Sequence, residues 1–200
     1  MVTDWSKALA RLVTEHPLAW VVSGGAETFN ATPLPLRPVL GADGHIETLL
    51  GHFARSNGHV EALRGSGRAL VLFMGPHGYI SPSWLSDRTQ APTWNYAAAQ
   101  FVVDVDFVAP GDERALLRDL IGAMEADRPD AWNLDELGPR YARLAPGIVG
   151  FRARVIETRP MFKLGQTEPP HFFAQMLSAL EREGRHDLSD WMGDFGRPGG

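Results

Sequence analysis

The sequence predicts a mainly β protein, an antiparallel β-barrel flanked by helices, and three observations carry that reading. Its strand-like stretches are short and joined by hairpin turns rather than by long crossovers. No GxGxxG opens a helix after a strand, which argues against a doubly wound sheet. The longer helical patterns lie at the two ends of the chain and in one internal segment.

Residues 4–15 set Trp5, Ala8, Leu9, Leu12 and Val13 on one helical face, and Pro17 ends that helix. LAWVVS (18–23) reads as a short strand, with Gly24-Gly25 as a turn signal. ATPLPLRPVL (31–40) carries three prolines and so lacks three backbone donors. It is expected at a sheet edge, or with free carbonyls facing a ligand. Gly41-Ala42-Asp43-Gly44 turns the chain into a strand over 45–54, and a short helix follows at 59–64. Leu70, Val71 and Phe73 mark a buried strand that Gly75-Pro76 is expected to break. A second strand resumes at Trp94 and runs through Val105.

The helical insert covers about 111–144. Its first helix buries Leu116, Leu117, Leu120, Ile121 and Met124, and Pro129 stops it. GIVGFRARVIET (147–158) alternates as a half-exposed antiparallel strand. An amphipathic helix over 169–183 presents Phe172, Phe173, Met176, Leu177 and Leu180. From Gly184 the chain is polar and Gly-rich, so 184–200 is expected to be a flexible tail behind a single domain, 1–183.

The stretch 70–103 holds two of the six tryptophans, Trp84 and Trp94, and two of the three tyrosines, Tyr79 and Tyr96. His77, Ser81, Ser83, Thr93 and Asn95 are set among these rings. That mixture suits a flat amphipathic ligand needing apolar faces and a few fixed edge contacts; the rings could equally plug a barrel end. Arg55-Ser56-Asn57-Gly58 delivers a guanidinium, a hydroxyl and open N–H groups ahead of a helix, which suits a phosphate, with His52 three residues away. Plain helix capping by Ser56 or Asn57 is the competing account.

Composition narrows the function classes. A net charge of −5 argues against broad binding to nucleic acid. The absence of cysteine removes disulfides, thiolate catalysis and Cys-ligated metals, and the seven histidines are scattered, so no metal site is expected. Nothing in the spacing of Ser81, Ser83 and His77 supports a hydrolytic triad. Charges at Asp4, Lys7, Arg11 and Glu15 exclude a signal peptide or membrane span in the first twenty residues, so a cytoplasmic protein is expected.

The strings ATPLPL, GHFARSN, GPHGYISPSW, PTWNY and IVGFRARVIETRPMFKLGQ occur in that order over roughly residues 18–180. They resemble successive blocks of the PaiB-like family of FMN-binding split-barrel proteins, often labelled negative transcriptional regulators. The resemblance implies a split barrel of the pyridoxamine-phosphate-oxidase-like type and a homodimer with FMN at the subunit interface. It implies a phosphate contact at Arg55, Ser56 and Asn57, with His52 close by. Thr32, Pro33 and Leu34 would meet the polar edge of the isoalloxazine, while Trp84, Trp94, Asn95 and Tyr96 would line its surroundings. Lys163 and Gln166 would reach the flavin from the opposite subunit. Two departures stand out: the usual histidine of ATHLPL is Pro33 here, and the common KFKLSQN reads MFKLGQT. The family label implies a regulatory or sensory protein. A flavin-dependent oxidoreductase of a small molecule and a cofactor-free interaction protein are the alternatives. The chain shows no helix-turn-helix signature and no basic recognition helix, which argues against direct DNA binding.

Overall fold

The computed structural model describes residues 4–24, 28–109 and 111–197. In chain order it runs α1 (Ser6–Glu15), β1 (Leu18–Gly24), β2 (Phe29–Pro35), β3 (Arg37–Leu40), β4 (Ile46–Ala54) and α2 (His59–Ser66). There follow β5 (Arg68–Ile80), β6 (Thr93–Phe107), α3 (Glu113–Glu125), α4 (Tyr141–Leu144), β7 (Ile148–Lys163), α5 (Pro170–Arg182) and α6 (His186–Phe195). The strands form one sheet in the order β2-β1-β5-β6-β7-β4-β3, and every neighbouring pair is antiparallel. None of the helices among the described residues is long and apolar enough to cross a membrane.

The two edge strands, β2 and β3, are consecutive in the chain, and Leu36 alone separates them. The sheet therefore curls until its edges meet at one corner residue, which gives a barrel with a seam. The prolines explain the choice of edges. Pro33 and Pro35 lie opposite Trp20 and Leu18, and Pro38 lies opposite Leu49, so each strand pairs on one side only and the missing donors cost no central ladder bond. The interior is filled by alternating residues such as Val21, Leu49, Phe53, Phe73, Phe101 and Phe151, all buried. Leu12 and Val13 of α1 join the same core.

Three expectations are corrected. Gly75-Pro76 does not break its strand: β5 continues to Ile80, and the ladder to β6 absorbs one extra residue as a register shift between Met74 and His77. Gly75 is required there because a Cβ would stand 2.5 Å from Leu12 Cδ1 of the overlying α1. The apolar stripe of α3 is only half used. Leu116 and Leu120 pack on Leu50 of β4, whereas Leu117 and Ile121 are half-buried and Met124 is exposed.

The segment expected to be a flexible tail instead forms α6. Leu188, Trp191 and Met192 recur at helical spacing and pack into the main core, with Trp191 only 1% exposed. The Trp191 indole N–H donates to Glu15 Oε2 at 3.0 Å, and the Arg11 guanidinium lies 5.0 Å from the indole ring centroid. Gly25 of the predicted turn and Pro198–Gly200 of the predicted tail lie outside the described residues.

Candidate functional site

The predicted residues fall into two groups at different places on one chain. The first sits where β2 meets the connection from β4 to α2. Asn57 accepts from the His59 N–H at 3.0 Å and donates to Thr32 Oγ1 at 3.2 Å, so its amide ties the start of α2 to β2. Arg55 donates from Nε to the carbonyl of Pro146 at 2.6 Å and from Nη2 to that of Ile148 at 2.8 Å. These bonds hold its guanidinium at the start of β7 and leave Nη1 for another acceptor. Ser56 is exposed, and among the described residues its hydroxyl has no partner. Pro33 lies on the outer face and free edge of β2; Leu34 faces the core.

His59 is the residue of this group that sequence reasoning missed. It is buried, with Ser23 Oγ 2.8 Å from Nε2 and Thr32 Oγ1 3.0 Å from Nδ1. Burial pushes its pKa below the ordinary imidazole value, so the ring is neutral at pH 7. Ser23, Thr32, Asn57 and His59 thus form one satisfied polar plug at an end of the barrel. The available signal was Ser23 and Thr32, both placed on inward positions by strand alternation.

The second group lies at the other end of β6. Trp94 and Tyr79 are exposed and meet edge-on at 6.2 Å, and His77 stacks on Trp94 at 6.4 Å. Tyr96 pairs across the ladder with Lys163, whose ammonium donates to Thr93 Oγ1. Two predicted contacts are turned elsewhere. Asn95 is 2% exposed and donates to Met192 Sδ of α6 at 3.4 Å. Gln166 closes its own loop, accepting from the Leu164 N–H and donating to the Phe162 carbonyl, each at 2.8 Å. Trp84 is half-buried against the core, in a 3-10 turn (Pro82–Trp84) beside α5.

Along the ladder the two groups sit at different levels: Lys163, paired with Tyr96, ends β7, whereas the carbonyl of Ile148 that accepts from Arg55 begins it. Trp94 lies near the start of β6, while Phe107 at its end pairs with Phe151, which pairs in turn with Gly51 near the β4–α2 connection. The outer face of β1, β5 and β7 presents Leu18, Trp20, Met74 and Met161, all exposed.

His52 lies on β4, three residues before Arg55. Alternation puts it on the outer face of β4, where it lines a cavity of about 420 Å³ between that strand and α3. Its Nδ1 is sealed from solvent with no hydrogen-bond partner, and burial lowers the pKa of the ring.

The family model described as "Putative FMN-binding domain" matches residues 2–157. The chain is 31% identical over 172 residues to the Bacillus subtilis (strain 168) protein named Protease synthase and sporulation protein PAI 2, covering 86% of this chain and 82% of that one. Among solved structures it is similar to the flavocytochrome Anf3 from Azotobacter vinelandii, with a TM-score of 0.59 at 14% identity, covering 79% of this chain and 65% of that one. It is also similar to the FAD and heme binding protein from Mycobacterium smegmatis, with a TM-score of 0.56 at 18% identity over 78% and 70% of the two chains. The last two likenesses are of fold, that of the split-barrel flavin binders.

Proposed function

Because the chain belongs to the FMN-binding domain family whose model spans its residues 2–157, we propose that it is a cytoplasmic, sensory or regulatory flavoprotein that holds FMN between the subunits of a homodimer. The separation of the two residue groups carries this reading. A single subunit offers Arg55, Ser56 and the open edge of β2 at one place and Trp94, Tyr96 and Lys163 at another. A second copy brings one subunit's rings to the other's phosphate donors. The exposed apolar face carrying Trp20, Met74 and Met161 is the surface such a copy would cover.

The residues fit a flavin mononucleotide. Arg55 Nη1 and the Ser56 hydroxyl are open to a phosphate. Pro33 and Pro35 lie on a free edge whose carbonyls accept, and Trp94 and Tyr79 offer ring faces. When bound, FMN supplies electron transfer. The protein's part is to orient it, exclude water, and hold the Lys163 charge near Tyr96. A cofactor held across an interface ties its own occupancy to dimer stability, which is what a sensor of flavin level or redox state needs. The relative's name, Protease synthase and sporulation protein, agrees with a regulatory role. A net charge of −5 favours output through a protein partner over direct DNA binding.

An oxidoreductase of a small molecule is the second reading. The exposure of His77 beside Trp94 and Lys163 favours it, since a substrate could reach that end from solvent. Light scattering with and without FMN tests the main reading. A dimer whose dissociation constant falls at least about tenfold on FMN addition is expected, by linkage. A monomer with FMN still bound at micromolar concentration overturns it. NAD(P)H-driven turnover with no change in assembly favours the second reading.

A further inference from the structure

The polar plug of Ser23, Thr32, Asn57 and His59 adjoins the loop that carries Arg55 and Ser56, and Asn57 fixes the direction of its hydrogen bonds. The Asn57 Oδ1 accepts from the His59 N–H at 3.0 Å, so Nδ2 is the donor to Thr32 Oγ1 at 3.2 Å. That hydroxyl lies 3.0 Å from His59 Nδ1, and Ser23 Oγ lies 2.8 Å from Nε2. A hydroxyl has one proton to give and two lone pairs to fill. Were the imidazole proton on Nδ1, Thr32 would accept twice, and its own proton would have no acceptor among the described residues. With the proton on Nε2 every bond is made: Asn57 donates to Thr32, Thr32 to Nδ1, and Nε2 to Ser23. The imidazole is 2% exposed and stands edge-on to the Phe53 ring at 5.4 Å. One ring thus locks a hydroxyl of β2 and, through it, the amide next to Ser56.

We propose that His59 is a positioning residue for the cofactor's phosphate: through Thr32 and Asn57 it holds the loop 55–57 in register with β2, and so sets how well the chain tells FMN from riboflavin. This rests on the assignment of Arg55 and Ser56 to the phosphate. So deeply buried a ring has no surface of its own for the flavin. Its effect is to remove freedom from the groups that do make contact, since donors already held in place lose less entropy when the phosphate arrives.

The ratio of the riboflavin to the FMN dissociation constant tests this, measured by flavin fluorescence titration of the full chain at pH 8. Ser56→Ala should lower the ratio, which locates the phosphate. His59→Gln breaks the bonds to Thr32 and Ser23 and should lower it about three- to tenfold. Thr32→Val removes the hydroxyl with little change of shape and should do the same, should the first variant fold poorly. His59→Asn keeps an acceptor where Nδ1 stood and should restore most of the ratio. Val13→Ala in α1 removes core volume without touching the relay; it should lower stability and leave the ratio unchanged. A ratio that falls in Ser56→Ala but survives both His59→Gln and Thr32→Val overturns the proposal and keeps Ser56 at the phosphate. So does a ratio lost as fully in Val13→Ala, or in His59→Asn, as in His59→Gln. A ratio indifferent to both Ser56→Ala and Arg55→Ala removes the phosphate from this loop, and the proposal falls with that assignment.

Discussion

The backbone N–H of Leu36 donates to the carbonyl of Pro17 at 2.8 Å, so the corner where the sheet's two edges meet is tied to the segment between α1 and β1. The Leu36 side chain is fully buried against the strand that follows. A Cβ at Gly51 of β4 would stand 2.4 Å from Leu36 Cδ2 and 2.7 Å from Phe151 Cζ. The seam therefore depends on glycine at that position.

Gly51→Ala should overpack this corner and destabilise the fold by about 1–3 kcal/mol. Urea unfolding measures it. An unchanged midpoint would mean that the corner can relax and does not set the seam.

Arg55→Ala should weaken FMN about tenfold to a hundredfold and riboflavin far less, because only FMN presents a phosphate to the guanidinium. The bonds from Arg55 to the carbonyls of Pro146 and Ile148 are lost with either ligand. Equal weakening of both ligands would therefore assign Arg55 to holding the start of β7.

Mixing Arg55→Ala subunits with Lys163→Met subunits separates one-chain from two-chain sites. If the two residues serve one flavin from different chains, each heterodimer keeps one intact site and one doubly damaged site. Flavin stoichiometry of the isolated heterodimer should then show one tight site. Two equally weakened sites would place both residues on the same chain's flavin.

Stability should fall between pH 8 and pH 5. Burial holds His16, His52 and His59 below the ordinary imidazole value. The unfolded chain then takes up protons first as pH drops through about 6.5, and the loss continues until the lowered folded values are passed. Carboxylates titrate mostly below this window, so the histidines account for the slope. His59→Gln should cost about 1–3 kcal/mol at pH 8 through its broken bonds to Ser23 and Thr32. It should also shrink the pH 8 to pH 5 difference in unfolding free energy; an unaltered difference would exclude His59 as a contributor.

Trp191→Ala should cost about 3–5 kcal/mol, as for a large aromatic removed from a core. Removing residues 184–200 should be worse. A melting temperature insensitive to both changes would return the segment to the status of a loose tail.

The sequence made the barrel legible wherever a local rule and the tertiary structure agree. Three prolines within six residues can only sit at an edge, and α1 shows its apolar face in its spacing. Gly75-Pro76 misleads because the dipeptide usually ends a strand, whereas a long antiparallel partner can absorb the surplus as a bulge. Composition hid α6: glycines and acids surround Leu188, Trp191 and Met192, whose spacing was the better guide. At the candidate site, the types of residue were legible and their commitments were not. That Asn95 would meet Met192, or Arg55 the carbonyl of Ile148, depends on chain positions 97 and 93 residues away. The hydrogen-bonded set of Ser23, Thr32 and His59 follows no motif at all.

The prolines on both edge strands also bear on how the protein behaves when crowded. A sheet whose outermost strands lack regular N–H donors offers no template onto which a further strand can zip, so growth into fibrils by edge addition is blocked at both ends. High concentration, as in a cell that overproduces it, should therefore drive this chain into discrete closed particles and leave it refractory to amyloid seeding.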